Sequence, residues 1–275
     1  MLKNHRKICL YSSILTTLIT TRSFAADVKV RGQLGVLGLS NHRIQFSENN
    51  TYFDYVEQGG QDILFNTKRI TVEVERENNH RMLFVYQPIE LATKVNLEED
   101  IRVDNVSFDA QTPLDLLYSF PYYRFSYLWP ALAGDAYSIH AGLGIQARNA
   151  RIEFASSDGT QLVSNRDLGP VPLLAVHGSY GDKNSFHWQF EAEGLFAPGA
   201  YLNGRDEENV KGAIFDAAVR PTLPVRDSLS CYWEFRYISG GSEGTSSSSN
   251  NPSGDGYTSN WIDAYSISLG LEVGI

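Results

Sequence analysis

Few side chains in this sequence have the types and the spacing that nucleophilic or metal-dependent chemistry requires. Of the six histidines, His42 lies in a polar stretch without a defined acidic or hydroxyl partner, and such a histidine is usually solvated. Cys231 shares one face of an alternating segment with Leu229 and Trp233, which favours an inert apolar role. The only other cysteine is Cys9, so a site with several cysteine ligands is excluded. These residues predict no catalytic, cofactor or metal site.

Polar and apolar residues alternate regularly along most of the chain. Near the C-terminus, polar residues alternate with Ile267, Leu269, Leu271, Val273 and Ile275. A period of two indicates a β-strand with one apolar and one polar face. The same alternation puts Phe235 and Arg236 on opposite faces of another segment. Such strands suit a sandwich core or, with the apolar face outward, a barrel wall in a membrane.

We predict ten strands and no helix, because no segment keeps a helical period. The strands are Val28–Leu39, Asp62–Arg76, Arg81–Leu97, Pro113–Pro130, Tyr137–Ala155, Pro170–Tyr180, Ser185–Ala197, Asn209–Thr222, Leu229–Ile238 and Thr258–Ile275.

The connectors between these strands alternate in length. Those after even-numbered strands are short: Glu77–His80, Ala131–Ala136, Gly181–Asn184 and Leu223–Ser228. Those after odd-numbered strands are long: Asn41–Gln61, Glu98–Thr112, Ser156–Gly169, Pro198–Glu208 and Ser239–Tyr257. Short periplasmic turns and long extracellular loops are typical of transmembrane barrels. The sequence therefore predicts an all-β fold: a closed antiparallel transmembrane β-barrel of about ten strands, within a range of eight to twelve. A secreted soluble β-sandwich is the alternative.

The N-terminus predicts export. Lys3, Arg6 and Lys7 precede an apolar stretch, and Ser23-Phe24-Ala25 resembles a cleavage site, so residues 1–25 are expected to be a signal peptide. Residues 26–275 then form the barrel domain. Removal of residues 1–25 changes the formal net charge from −9 to −13. So acidic a chain is not expected to bind nucleic acid.

The last residues carry a family resemblance. Ser268-x-Gly270-x-x-Val273-x-Ile275 resembles the C-terminal assembly signal of bacterial outer-membrane β-barrel proteins, with Ile275 in place of the usual aromatic residue. The resemblance implies a Gram-negative outer membrane with both termini in the periplasm. It also implies contact with outer-membrane lipid and lipopolysaccharide, and with the barrel-assembly machinery during biogenesis. No ligand follows from it.

The inward face of the predicted barrel is rich in charge. Its expected network consists of Glu73, Glu75, Arg124, Arg148, Glu191, Glu193, Glu234 and Arg236. The same face is predicted to hold Arg69, His140, Gln146, His187, Gln189, Lys211, Asp216 and Arg220. Side chains fill much of so narrow a barrel, and buried charges are retained mainly when paired. We expect a plug of ion pairs in which Arg236 pairs with Glu234 or Glu191; a narrow polar conduit is the alternative.

Candidate ligand-binding residues at the extracellular mouth come from the long connectors. They are Asp62, Arg166, Asp167, Asn203, Asp255 and Asn260. Bracing of turns explains Asn and Asp there equally well. The Gly/Ser/Asn-rich stretch Ser239–Gly256 is expected to be an external loop.

Some outer-membrane barrels are enzymes, and each class is marked by its own pattern of catalytic residues. The lipid A deacylase pattern needs a histidine on the last strand, but no histidine follows His187. The acidic and histidine pairs of barrel proteases have no clear equivalent, and His42 lacks the partners of a palmitoyl-transfer enzyme. The sequence thus predicts a non-enzymatic, porin-like surface or binding barrel, or a very narrow pore. An outer-membrane lipid- or peptide-modifying enzyme with its site at the extracellular mouth is the alternative.

Overall fold

In a computed structural model, residues 26–198, 211–245 and 255–275 are described, and the regular elements within these ranges are β-strands. They are β1 (Ala26–Phe46), β2 (Phe53–Asp54), β3 (Phe65–Arg76), β4 (Arg81–Gln87), β5 (Glu90–Asn96), β6 (Ile101–Val103), β7 (Val106–Phe108), β8 (Pro113–Ser119), β9 (Tyr122–Ala133), β10 (Tyr137–Ser156), β11 (Leu162–Tyr180), β12 (His187–Pro198), β13 (Lys211–Arg226), β14 (Leu229–Thr245) and β15 (Tyr257–Gly274). No helix in these ranges is long and apolar enough to cross a membrane. The predicted signal peptide lies outside the described residues.

Ten of these strands close into a ring. The hydrogen-bonded order runs from β1 through β3, β4 and β9 to β10, then through consecutive strands to β15, which pairs with β1. The closing pair extends from Lys29 opposite Gly274 to Phe46 opposite Thr258. A closed ring leaves no edge of unpaired backbone groups. The predicted closed antiparallel barrel of ten strands is confirmed.

The two ends of the barrel differ. Ala26 and Ile275 lie at one end, where the Ile275 N–H donates to the Val28 carbonyl over 2.8 Å. The short connectors 77–80, 134–136, 181–186 and 227–228 lie at this same end. We call it the turn end and the opposite end the loop end.

The outer surface carries an apolar band. Leu34 is 70% exposed and Phe235 is 47% exposed, whereas their neighbours inside the barrel, such as Arg236 at 4%, are buried. On β10 the outward apolar residues run from Tyr137 to Ala147. Ten residues cover about 33 Å along a strand, or about 25 Å of height at a tilt of ~40°. This height matches the lipid-facing band of transmembrane barrels.

At the loop end the wall continues beyond this band. β1, β10 and β14 extend to Phe46, Ser156 and Thr245, and β11 begins at Leu162. The first parts of the predicted loops Asn41–Gln61 and Ser239–Tyr257 are therefore strand, as are the last residues of the predicted loop Ser156–Gly169. In β1 the pairing register shifts between Leu39 and Asn41. This irregularity shifts the alternation by one residue and hides the continuation of the strand.

Two predicted strands are interrupted. The third breaks after Gln87, at Pro88, and the fourth breaks after Ser119, next to Pro121. Proline has no N–H to donate to a ladder, so the pairing ends there. Beyond the breaks, β5 pairs with β8 and β8 pairs with β10.

The interior of the loop end is an apolar core. Residues 52–65, the β6–β7 hairpin and the inward faces of β5 and β8 pack against the extended wall. The buried side chains include Ile44, Phe53, Tyr55, Leu91, Phe108, Leu114, Leu116, Phe154 and Ile262. We call this cluster the loop-end core.

Candidate functional site

The interior between the turn end and the loop-end core is filled by ion pairs. Nearest the turn end, the Arg31 guanidinium lies 3.0 Å from Glu73 and 3.4 Å from Glu272. Arg81 lies 3.6 Å from the other Glu73 oxygen and 3.4 Å from Glu75. One carboxylate is thus shared by two arginines from different strands.

A second layer lies deeper in the barrel. Glu191 of β12 forms ion pairs with Arg69 of β3 at 3.0 Å and with Arg220 of β13 at 2.5 Å. Arg220 also pairs with Glu234 at 2.6 Å, and Gln33 donates to the second Glu234 oxygen. β3 and β12 are not neighbours in the ring, so the Arg69–Glu191 pair crosses the lumen.

A third layer borders the loop-end core. Arg124 lies 2.9 Å from Glu193 and 2.8 Å from Asp216. Arg236 donates to both oxygens of Asp216 and to Gln87 and Tyr122. The side chains of these four charged residues are each at most 3% exposed. We call the three layers together the ion-pair plug.

The charges of the plug nearly cancel. Its arginines are Arg31, Arg69, Arg81, Arg124, Arg220 and Arg236, and its carboxylates are Glu73, Glu75, Glu191, Glu193, Asp216, Glu234 and Glu272. The His177 Nε2–H donates to the Glu193 carboxylate over 2.7 Å, because an ionised carboxylate can only accept. Near-neutrality is what lets so many charges remain buried together.

The structure places the described network residues in this plug and makes two corrections to the inward set. Arg236 pairs with Asp216, not with Glu234 or Glu191: it stands opposite Ala218 and reaches the diagonal neighbour. Lys211 faces outward, where its ammonium lies 2.5 Å from Glu243. Glu75 lies in the layer nearest the turn end, paired with Arg81. The side chain of Arg148 lies outside the described residues.

Several plug residues were not predicted. Arg31, Arg81, Glu272 and His177 occupy inward positions of β1, β4, β15 and β11. Their signal was the same alternation that identified the others. In β1 it was weakened because Gly32 on the apolar face and Gly35 on the polar face carry no side chain to mark either face.

The described mouth residues are not linked to one another by hydrogen bonds or ion pairs. Asp255 braces the neighbouring turn, since its carboxylate accepts the Ser47 hydroxyl at 2.6 Å and the Glu48 N–H at 2.9 Å. Asn260 is buried and donates to Tyr118 over 3.2 Å. Arg166 is exposed on the outside of β11, and Asp62 is exposed after Gln61. Asn203 and the side chain of Asp167 lie outside the described residues. Among the others, no hydrogen bond or ion pair joins two of them.

His42 is not solvated, which corrects the expectation from sequence. It lies in the extended part of β1, fully buried, stacked on Tyr55 at 4.4 Å and edge-on to Tyr118 at 4.3 Å. Its Nδ1 donates to Gln61 Oε1 over 2.7 Å, because that oxygen can only accept. Burial lowers the pKa of His42 to about 4, although the Gln61 bond raises it. His42 is therefore a neutral packing group that holds residues 55–61 against β1.

One motif was overlooked in the sequence. Gly240, Ser242 and Gly244 have the Gly-x-Ser-x-Gly spacing of hydrolase nucleophiles, but they lie within β14, paired with both β13 and β15. That chemistry requires a sharp strand-to-helix turn to expose the serine. Within the described ranges, no group of three His, Cys, Asp or Glu side chains is placed to hold a metal ion.

Comparison with known proteins gives matches among solved structures. No protein-family model and no curated protein sequence matches the chain. The outer membrane protease OmpT from Escherichia coli is 11% identical with a TM-score of 0.53, over 93% of this chain and 99% of that one. The translocator domain of the autotransporter NalP from Neisseria meningitidis is 10% identical with a TM-score of 0.46, over 96% and 93%.

The likeness to OmpT extends over nearly the whole of both chains, and at this identity it concerns the fold alone. It agrees with the closed antiparallel ring, the polar interior and the apolar outer band described above. This chain therefore has the fold of the bacterial outer-membrane β-barrel proteins.

Proposed function

We propose that this chain is a sealed, non-enzymatic barrel of the outer membrane. Its segments 40–64, 89–119 and 149–167 form an extracellular head that is displayed at the cell surface. The observation that carries this proposal is the double closure of the lumen. The ion-pair plug fills the interior on the side of the turn end, and the loop-end core fills it on the side of the loop end. A conducting pore needs a continuous water-filled path, and its charged side chains would be hydrated rather than paired and buried.

The outer membrane is supported as the location by the apolar band. Its exposed residues include Leu143, Leu174, Trp233, Phe235 and Leu269. Exposure of these side chains to water would be unfavourable, whereas contact with the acyl chains of outer-membrane lipid and lipopolysaccharide suits them. Long extensions lie at the loop end and short turns lie at the turn end. Because transmembrane barrels have short periplasmic turns and long extracellular loops, we assign the loop end to the cell exterior and both termini to the periplasm.

A binding or structural role is favoured over catalysis by the composition of the head. Segments 40–64, 89–119 and 149–167 carry fourteen Asp or Glu and five Lys or Arg. An acidic surface attracts cationic partners and repels anionic ones. His42, the one histidine in these segments, serves as a buried packing group with a pKa near 4, which makes it unsuitable as a general base at neutral pH.

The proposal is tested by single-channel recording with the purified barrel in planar bilayers. We expect no stable conductance from the wild-type protein, because both closures lie in series. Phospholipid, lipopolysaccharide and peptide substrates should be left intact when incubated with the same preparation. Discrete, stable conductance steps would show a pore, and turnover of any of these substrates would show an enzyme; either result contradicts the proposal.

A further inference from the structure

The interior opens into a polar cavity at the turn end, below the first layer of the ion-pair plug. Its volume is about 210 Å³, equivalent to roughly seven water molecules at ~30 Å³ each. Strands β1, β3, β4, β11, β12, β13, β14 and β15 contribute to its lining, as do the connectors 181–186 and 227–228. We call this cavity the turn-end vestibule.

More cationic than acidic side chains line the vestibule, although the chain as a whole is acidic. Its lining includes the cations Lys29, Arg31, Arg81, Lys183 and Arg220. The lining carboxylates are Glu73, Asp227 and Glu272. The three arginines are ion-paired with carboxylates of the plug, so their charges are already balanced. The cationic groups that the plug does not neutralise are the two lysines.

Two of the five cations are not used by the plug. The arginines are held by Glu73, Glu75, Glu191, Glu234 and Glu272. Among the described residues, no carboxylate lies within ion-pair distance of Lys29 or Lys183. Lys29 stands opposite Glu73 on β3, but the Glu73 carboxylate is ion-paired with Arg31 and Arg81. Ser228 and Ser230 also line the cavity and add hydroxyl donors.

We propose that the turn-end vestibule is a binding site for a small oxyanion of the phosphate type. Lys29 and Lys183 supply the positive charges, while Arg31 and Arg81 close the inner side of the cavity through their ion pairs with Glu73, Glu75 and Glu272. Ammonium and guanidinium groups are the preferred partners of phosphate oxygens. The volume fits an anion the size of inorganic phosphate or a small phosphomonoester with some water.

The site is a dead-end pocket rather than a stage of transport. The ion-pair plug separates it from the loop end, so the ligand enters and leaves at the turn end. In the proposed orientation this end faces the periplasm. The inference concerns a second site and does not depend on what the loop-end head binds.

Isothermal titration calorimetry with the detergent-solubilised barrel and inorganic phosphate, at constant ionic strength in chloride, tests the site. We expect saturable binding with one phosphate per chain. The double variant Lys29→Gln/Lys183→Gln should bind phosphate at least about tenfold more weakly, because two charge-assisted contacts are lost. Both lysines lie at the cavity rim, so unchanged heat-modifiable migration on gels is expected and checks that the variant is folded.

The matched control is Lys94→Gln, which removes an exposed lysine at the loop end that pairs with Asp115 at 2.9 Å. This variant should bind phosphate as the wild type does. Glycerol phosphate distinguishes free phosphate from a phosphate ester as the ligand. Equal affinity for both supports a site that recognises the phosphate group of an ester. Binding of inorganic phosphate alone supports a site for the free ion. The proposal is overturned if the wild type shows no saturable binding, if the double variant binds normally, or if Lys94→Gln weakens binding equally.

Discussion

At Gly270, the packing of side chains inside the barrel restricts which residue the wall can hold. A Cβ atom at this position would lie 2.2 Å from Cζ of Tyr232. Tyr232 is 2% exposed, and its hydroxyl donates to Gln33 Oε1 over 3.0 Å. The ring is therefore held in place over the glycine. The glycine of the resemblance to an assembly signal thus has a packing role in the folded barrel.

Gly270→Ala is expected to destabilise the barrel by about 1–3 kcal/mol, the usual cost of overpacking a filled interior. The measurement is the free energy of unfolding in urea, with the protein folded into lipid vesicles. Gly32→Ala is the control, because a Cβ there meets nothing within 4 Å. Equal effects of the two substitutions would show that the Tyr232 contact is unimportant.

The pairing of Arg236 makes a second prediction. Arg236→Leu should cost about 3–5 kcal/mol in unfolding free energy, because Asp216 keeps its buried charge but loses two hydrogen bonds. In a double-mutant cycle, Arg236→Leu and Asp216→Asn should be coupled by about 0.5–3 kcal/mol. Glu191→Gln is the matched comparison and should couple more weakly to Arg236→Leu. Stronger coupling to Glu191 would contradict the assigned pair.

Among the strands, the parts that could be predicted from sequence are those with uninterrupted alternation. β10 was predicted as Tyr137–Ala155 and spans Tyr137–Ser156. The extension of β1 was missed because its register shifts at Ser40, and β11 was predicted too short because its first residues, Leu162 to Asp167, mix polar and apolar side chains on both faces. Local pattern identifies a strand only while its period is kept.

The candidate sites were predictable to a smaller extent. Alternation gives the face on which Arg69 and Glu191 lie, but not that they meet. Their contact depends on the curvature and stagger of the closed ring, which join β3 to β12 across the lumen. Likewise, the burial of His42 depends on residues 52–64 folding back into the loop end. No spacing within one segment contains that information.

Residues 55–61 are fixed to β1 through His42, and this contact makes the loop end sensitive to acid. The pKa of buried His42 is about 4, below its ordinary 6.5. An opened loop end binds the proton more readily, so its stability falls as the pH drops from about 6.5 towards 4, by up to about 3 kcal/mol. Hydrogen-exchange protection of residues 53–64, corrected for the intrinsic pH dependence of exchange, should fall over this window.

The matched variant for the pH series is His42→Phe, which keeps the ring stacking on Tyr55 but cannot be protonated. Other titrating groups contribute equally to both proteins, so the difference between them isolates His42. The difference in hydrogen-exchange protection between wild type and His42→Phe should grow as the pH falls from about 6.5 to about 4. A protection difference that stays constant over this range would mean that His42 is already charged or already exposed.

For the molecule as a whole, we propose that an apolar exterior encloses a lumen that is closed by both the ion-pair plug and the loop-end core. Ser266 reports on that closure. It faces inward on β15, opposite Arg236 of β14, and is 6% exposed. Cysteine is close to serine in size, so a substitution here changes the packing little. Asp158, in the exposed turn between β10 and β11, provides the open reference.

The most direct test is therefore the reaction of a water-soluble methanethiosulfonate with Ser266→Cys and Asp158→Cys, each in the Cys231→Ser background. The protein is folded into lipid vesicles for the measurement, and the labelling rate is followed by mass. Asp158→Cys should react rapidly and Ser266→Cys should react at least about a hundredfold more slowly, since reaction there needs an opening worth about 3 kcal/mol or more. Comparable rates at the two positions would show a water-filled lumen and contradict the account.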